Sequence, residues 1–289
     1  MPYRLSNSAD LPEQVEELAR ELLMDAAECV GGLPPSADAL HEARLGIKRC
    51  RALLSLLEES MGKRGRRYDV RLAGAARLLS ALRDADVGVD TMQRLADAYG
   101  GLISGASARA LQRELAGRAR AARANAGAAV RDARAALLLA ADTMPAAIGQ
   151  VATATAIRRG LVMGYRRARR AFRALPEVAE SDALHRWRRR AKRHGYHLKL
   201  CTAGLDDADA RIEALAHLDE GLGEEHNLAI LEVTLLRHAA ESSAPRGVAI
   251  ALGCLVQRRA VLRAAVLGPG TLLFAERPAD FARTIGDWW

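Results

Sequence analysis

Aromatic residues are scarce, with three Phe, three Trp and five Tyr in 289 residues. That leaves little for the stacking platforms that hold single-stranded bases. Lysine is scarcer still: Lys48, Lys63, Lys192 and Lys199 are the only four among 43 basic residues. The four cysteines, Cys29, Cys50, Cys201 and Cys254, are widely separated, which excludes a CxxC zinc or redox motif. No apolar run is long enough to span a bilayer. The longest uncharged stretch, Thr143–Ile157, is short and punctuated by polar residues. The opening MPYRLSNSADLPEQVEE has no apolar segment after its first charges, which predicts no signal peptide and a cytoplasmic protein. Gly221-x-Gly223 lacks a third glycine and a preceding strand, Met61-Gly-Lys is not a P-loop, and GxSxG does not occur. No segment alternates with period two, so no sheet is expected.

What is present favours helices. Half the residues are hydrophobic and 27% are charged, which excludes a disordered polyelectrolyte. Alanine makes up about a fifth of the chain, and β-branched residues are few. Periodicity and capping residues predict an all-α protein with helices near 11–30, 37–60, 66–83, 86–99, 107–141, 146–174, 181–203, 208–221, 226–240, 246–266 and 278–288. MGKRG (61–65), the Pro145 region and LGPG (267–270) read as breaks, and Ser36 and Ser181 read as N-caps.

The chain repeats itself. LHEARLGIKRCRALLSLL from Leu40 aligns with LHRWRRRAKRHGYHLKLC from Leu184, an offset of 144 residues. His41, Arg44, Lys48 and Arg49 fall on His185, Arg188, Lys192 and Arg193. The apolar seam recurs as well, with Leu40, Ala43, Ile47, Cys50, Leu54 and Leu57 against Leu184, Trp187, Ala191, His194, Leu198 and Cys201. A duplicated helical bundle is expected, with halves 1–144 and 145–289 forming one module.

Each repeated helix carries a cationic line beside its apolar seam. On one helix it comprises His41, Arg44, Lys48 and Arg51; on the other, His185, Arg188, Lys192 and Lys199. A solvated face normally mixes signs, yet Arg188, Arg189, Arg190, Lys192 and Arg193 have no acid within a turn. A bound anion would relieve that repulsion. Residues 157–199 hold 14 basic and three acidic residues, while 41–77 hold ten and four. The rest of the chain is therefore net acidic, and such a field concentrates polyanions. Arg159, Arg166 and Arg170 extend the basic surface along IRRGLVMGYRRARRAFR, and Tyr196 offers a hydroxyl beside the second line. This amphipathic segment has few large apolar residues, so membrane docking is not expected.

The doubled His-x-x-Arg-x-x-x-Lys-Arg pattern at His41–Arg49 and His185–Arg193 resembles the CHAD family, the conserved histidine α-helical domains. So do LRDADV (82–87), LDEGLGEEHNLAIL (218–231) and the tail FAERPADFARTIGDWW. The resemblance covers nearly the whole chain. It implies two pseudo-symmetric four-helix bundles with additional helices. It also implies binding of inorganic polyphosphate along a basic surface, often at polyphosphate granules, without catalysis or cofactor. The chain departs from the family at His226-Asn227, where relatives carry Asn-Asp, and at Gly195, which aligns with Arg51. The polyphosphate-binding residues so expected are His41, Arg44, Lys48, Arg49, Arg51, Arg159, Arg166, Arg170, His185, Arg188, Arg189, Lys192, Arg193, Tyr196 and Lys199. Two other readings use the same stripes: a general nucleic-acid-binding protein, and a phosphoryl-processing enzyme, which would need carboxylates clustered to hold Mg²⁺.

The remaining motifs read as structural. His194-x-x-His197 lies on the apolar seam with no third metal ligand, so both are expected in the core. Cys50 and Cys201 are seam positions and read as buried hydrophobes. Asp84 and Asp86 read as a helix boundary that orients Arg or His, and Trp187, Trp288 and Trp289 as packing anchors.

Overall fold

A computed structural model describes residues 3–32, 34–177, 180–202 and 206–288, apart from the side chains at 81, 83–86, 206, 287 and 288. Asp84, Asp86, Trp288 and Trp289 therefore lie outside the described side chains. The described residues form helices and connecting turns, with no strand.

Helix α1 (Leu11–Cys29) carries Pro12 in its first turn and buries Val15, Leu18, Leu22 and Leu23 at helical spacing. Helix α2 (Ala37–Leu56) is capped as expected, the Ser36 side chain accepting from the Ala39 N–H at 3.1 Å. Helix α3 (Glu58–Ala98) runs through the expected boundary between 66–83 and 86–99, whereas the break expected at MGKRG (61–65) is present as a kink. It bends at Gly62, whose φ of 51° only glycine adopts readily. The expected helix 107–141 is instead two, α4 (Gly105–Ala124) and α5 (Gly127–Thr143), and 146–174 divides into α6 (Pro145–Gly149) and α7 (Ala154–Arg173), capped by Thr153. Helix α8 (Ser181–Thr202) matches expectation. The expected pair 208–221 and 226–240 is the single helix α9 (Asp206–His238). Helix α10 (Pro245–Leu273) runs through LGPG, and α11 (Pro278–Trp288) closes the fold.

LGPG does not break α10 because tertiary packing uses its last glycine. A side chain at Gly270 would press to within 2.8 Å of the Trp187 ring. Gly223 similarly leaves room for the Arg188 guanidinium, 2.9 Å from where a Cβ would stand. These glycines allow close approach rather than interrupting a helix.

Two pairs of helix boundaries lie 144 residues apart: α2 opens at Ala37 and α8 at Ser181, and α1 closes at Cys29 and α7 at Arg173. The apolar interior falls into two clusters. The larger holds α1, α2, the early part of α3, α5 to α8 and α11, and contains Trp187, Tyr165 and Phe281. The smaller joins Met92 and Leu95 of α3, Leu111 and Leu115 of α4, Leu228 and Leu231 of α9, and Leu255 of α10. Each cluster takes residues from both sides of position 144. Helices α3, α9 and α10 contribute to both.

Candidate anion-binding site

The two repeated helices, α2 and α8, pack against each other. Leu40, Ala43, Ile47 and Cys50 of α2 are buried, as are Leu184, Trp187, Ala191, Leu198 and Cys201 of α8. With the apolar seams turned inward, the cationic lines come together. Lys48 feels Arg44 on its own helix and Arg188 and Lys192 across the contact. Its side chain reaches solvent, but from a recess with protein on several sides. That burial, reinforced by the neighbouring cations, lowers its ammonium to about 8.

The basic run of α8 has partners that local sequence does not reveal. Asp219 of α9 accepts from Arg188 Nε at 2.8 Å and also from Lys192 Nζ. Arg44 donates to the Ala76 carbonyl and to Ser80 Oγ on α3. Tyr196 is half-buried, and burial with the nearby Asp219 charge pushes its hydroxyl up to about 12. Its ring meets Tyr3 edge-on, and Arg49 stands 5.3 Å over the Tyr3 ring. Tyr3 Oη donates to the Arg49 carbonyl, and Leu5 N–H to the Leu200 carbonyl at 2.7 Å, which fastens the N-terminal segment beside the site.

A cleft of about 410 Å³ opens between α2, α3, α7 and α8. Six arginines line it: Arg51, Arg66, Arg167, Arg189, Arg190 and Arg193, together with Ser55, Glu58 and Asp69. Arg51 grips Asp69 through two bonds, at 2.8 and 3.0 Å, and Arg167 bonds Glu58. Burial raises the Asp69 carboxyl, but the Arg51 bond and surrounding arginines outweigh it, and the group lies below the ordinary range. Burial and like charge act together on the guanidinium groups of Arg193, next to Arg51, and Arg190, next to Arg167 and Arg189; both are lowered. An adjoining recess of about 260 Å³ shares Arg66 and Arg167 and reaches Arg159.

Lys48, Arg51, Arg188, Arg189, Lys192 and Arg193 thus lie along α2 and α8, with Arg44 held against α3, Arg49 and Tyr196 beside Tyr3, and Arg159 in the adjoining recess. His41, Arg166, Arg170 and Lys199 are exposed and line neither the cleft nor its adjoining recess. His185 faces a different pocket of about 620 Å³, where its ring stacks on His226 at 4.0 Å. Burial and the cations of Arg189 and Arg188 lower His185. Burial, His185 and Arg188 lower His226 to about 4.

Arg167, Arg66 and Arg190 are cleft residues absent from the expected set. For Arg167 the signal lies in two glycines of α7. A Cβ at Gly160 would collide with the Leu56 backbone, and one at Gly164 with the His197 ring. These close approaches fix the rotation of α7 and turn position 167, seven after Gly160 and three after Gly164, toward the cleft. Arg166 and Arg170 point elsewhere.

The acid-free appearance of residues 188–193 is corrected by Asp219, Asp69 and Glu58, supplied from α9 and α3. Ser181 is corrected too: it is the first residue of α8, and its hydroxyl receives a bond from Arg263 at 3.0 Å. Buried Glu225 accepts from Arg259 and Arg263 in the same network. His194 and His197 lie in the core. His194 packs against Tyr165 and Phe281, and His197 Nε2 stands 2.7 Å from Ser55 Oγ and 3.1 Å from the Ala52 carbonyl. Among the described residues, no group of three or more His, Cys, Asp or Glu converges to hold a metal ion. Among the described residues, no helix is long and apolar enough to cross a membrane.

The family model described as CHAD domain matches residues 13–236. The crystal structure of the CHAD domain from the plant Ricinus communis is similar, with a TM-score of 0.75 at 22% sequence identity over 96% of each chain. Among curated proteins no sequence matches significantly.

Proposed function

The chain belongs to the CHAD domain family, and from that premise we propose that it is a non-catalytic binder of inorganic polyphosphate, acting in the cytoplasm at polyphosphate granules. The six-arginine cleft continuous with the α2–α8 surface carries this reading. Polyphosphate is a flexible chain with charge on every unit and no bases to read. It calls for cations repeated along a path. Residues seven apart on a helix lie about 10.5 Å apart along the axis, so one helix reaches several successive phosphoryl groups. Arginine donates two parallel bonds to phosphate oxygens, which suits a ligand made only of such oxygens. Asp69 and Glu58, the carboxylates in the cleft, are each engaged by arginine rather than converging on a cation site. That arrangement supports binding over phosphoryl processing.

The test is the affinity for long-chain polyphosphate of two triple variants with equal loss of charge. Arg51, Arg190 and Arg193 changed to Gln should weaken binding about tenfold or more, since several charge-assisted bonds are lost. The exposed set Arg166, Arg170 and Arg173 changed to Gln should weaken it only about twofold. Equal losses would reduce the site to total charge, and equal competition by duplex DNA of matched charge would favour the nucleic-acid reading.

A further inference from the structure

Ser55 of α2 stands where the six-arginine cleft meets the adjoining recess. Four residues line both cavities, Ser55, Glu58, Arg66 and Arg167, and Ser55 is the one uncharged side chain among them. A polyanion that runs from the cleft toward Arg159 passes this junction.

The Ser55 hydroxyl belongs to a triangle with α8. It donates to the Ala52 carbonyl at 2.9 Å, and His197 Nε2 lies 2.7 Å from Ser55 Oγ and 3.1 Å from the same carbonyl. His197 is buried, and that burial, with His194 and Arg193 nearby, holds its ring well below the ordinary range. The ring is therefore neutral and carries a single N–H. A carbonyl only accepts, so the proton sits on Nε2. Nδ1 has no hydrogen-bond partner, and a bare lone pair there costs less than an orphaned donor. The ring cannot swing away, because Gly164 of α7 presses on its other edge, where a Cβ would lie 2.5 Å from Nδ1. The Ala52 carbonyl thus has two side-chain donors, and the Ser55 proton is the surplus one.

We propose that Ser55 is a further ligand-contacting residue of the polyphosphate site, an inference that rests on the reading above, and that His197 is its positioning residue. When a phosphoryl group reaches the junction, the hydroxyl turns from the Ala52 carbonyl to a phosphoryl oxygen. Only the O–H rotates. His197 keeps the carbonyl satisfied and still donates to Ser55 Oγ, so no buried group is orphaned. The exchange is favourable because a bond to an anionic oxygen is about twice as strong as one to a neutral carbonyl. It also adds a donor without adding charge, in a cleft where Arg190 and Arg193 already feel their neighbouring arginines.

Calorimetric titration of long-chain polyphosphate into the full chain tests this. Ser55→Ala leaves the net charge unchanged and suits a helix, so its circular dichroism should match wild type while it binds about fivefold more weakly. Ser55→Thr, which keeps the hydroxyl, should recover most of that loss. The positioning role is read by nuclear magnetic resonance of protein labelled with nitrogen-15 histidine. The His197 Nε2 resonance should shift as polyphosphate is added to wild type, and should stay in place in Ser55→Ala at saturating polyphosphate. Ser55→Ala binding within about twofold of wild type, or an equal His197 shift in both proteins, overturns the proposal and leaves the polyphosphate reading standing. A wild type that does not bind polyphosphate overturns both.

Discussion

Asp219 of α9 and Arg188 of α8 form a charge-assisted bond of 2.8 Å, and the same carboxylate engages Lys192. On the proposed function, the carboxylate competes with phosphate for these donors. Asp219→Asn should raise polyphosphate affinity about fivefold, corresponding to ~1 kcal/mol of restored attraction near the surface. It should also lower the melting temperature, because Arg188 and Lys192 lose their ionic partner. Isothermal titration and thermal melting measure the two effects. An affinity unchanged or reduced would mean that Asp219 positions the cations instead of competing for them.

On the proposed function, Lys48 should give binding an alkaline limit. Its ammonium titrates at about 8, and a phosphate neighbour favours the charged form. Affinity should therefore fall as pH rises from 7 to 9.5, and Lys48→Arg should flatten that fall, since guanidinium stays charged. The linked effect on stability has the opposite sign. The folded-state value lies below the unfolded one, so between about 8 and about 10.4 the unfolded chain binds more protons and stability from this group rises with pH. Titrations of wild type and variant with parallel slopes would remove Lys48 from the site.

Two glycine substitutions should move stability in opposite directions. Gly160→Ala drives a methyl into the Leu56 backbone and should cost about 2–3 kcal/mol as α7 is pushed from α2. Gly117→Ala, with open space at its Cβ position in α4, should stabilise by about 0.5–1 kcal/mol through helix propensity. Urea denaturation compares them. Loss of polyphosphate binding in Gly160→Ala beyond its loss of fold would further tie α7 rotation to the cleft.

Much of the fold was legible because its signals are local. Ser36 caps α2 where expected, α1 begins at Leu11 as expected, and leucine periodicity marks the buried faces of both. The misread boundaries have tertiary causes. Gly221, Gly223 and LGPG look like breaks in sequence, yet these glycines make room for Val266, Arg188 and Trp187, and the helices continue. The basic character of the site was legible from α2 and α8, whose seams fix which side faces out. The exact rotation of α7 was not, because its seven arginines share one broad half of the helix opposite Ile157, Leu161 and Tyr165, and Arg167 lies at the edge of that half. Only the fit of Gly160 and Gly164 against α2 and α8 selects Arg167 over Arg166 and Arg170. The counter-ions escaped notice for a simpler reason: Asp219 lies 31 positions beyond Arg188, out of reach of any rule about neighbouring turns.

Helices α3, α9 and α10 each enter both apolar clusters, so they act as girders shared by two rooms. On α9, Leu228 belongs to the smaller cluster and Leu218, ten residues before it on the same helix, to the larger one. Asp219 sits on that rod, next to Leu218 and against Arg188. One continuous helix thus carries both the counter-ion of Arg188 and Lys192 and a wall of the smaller cluster.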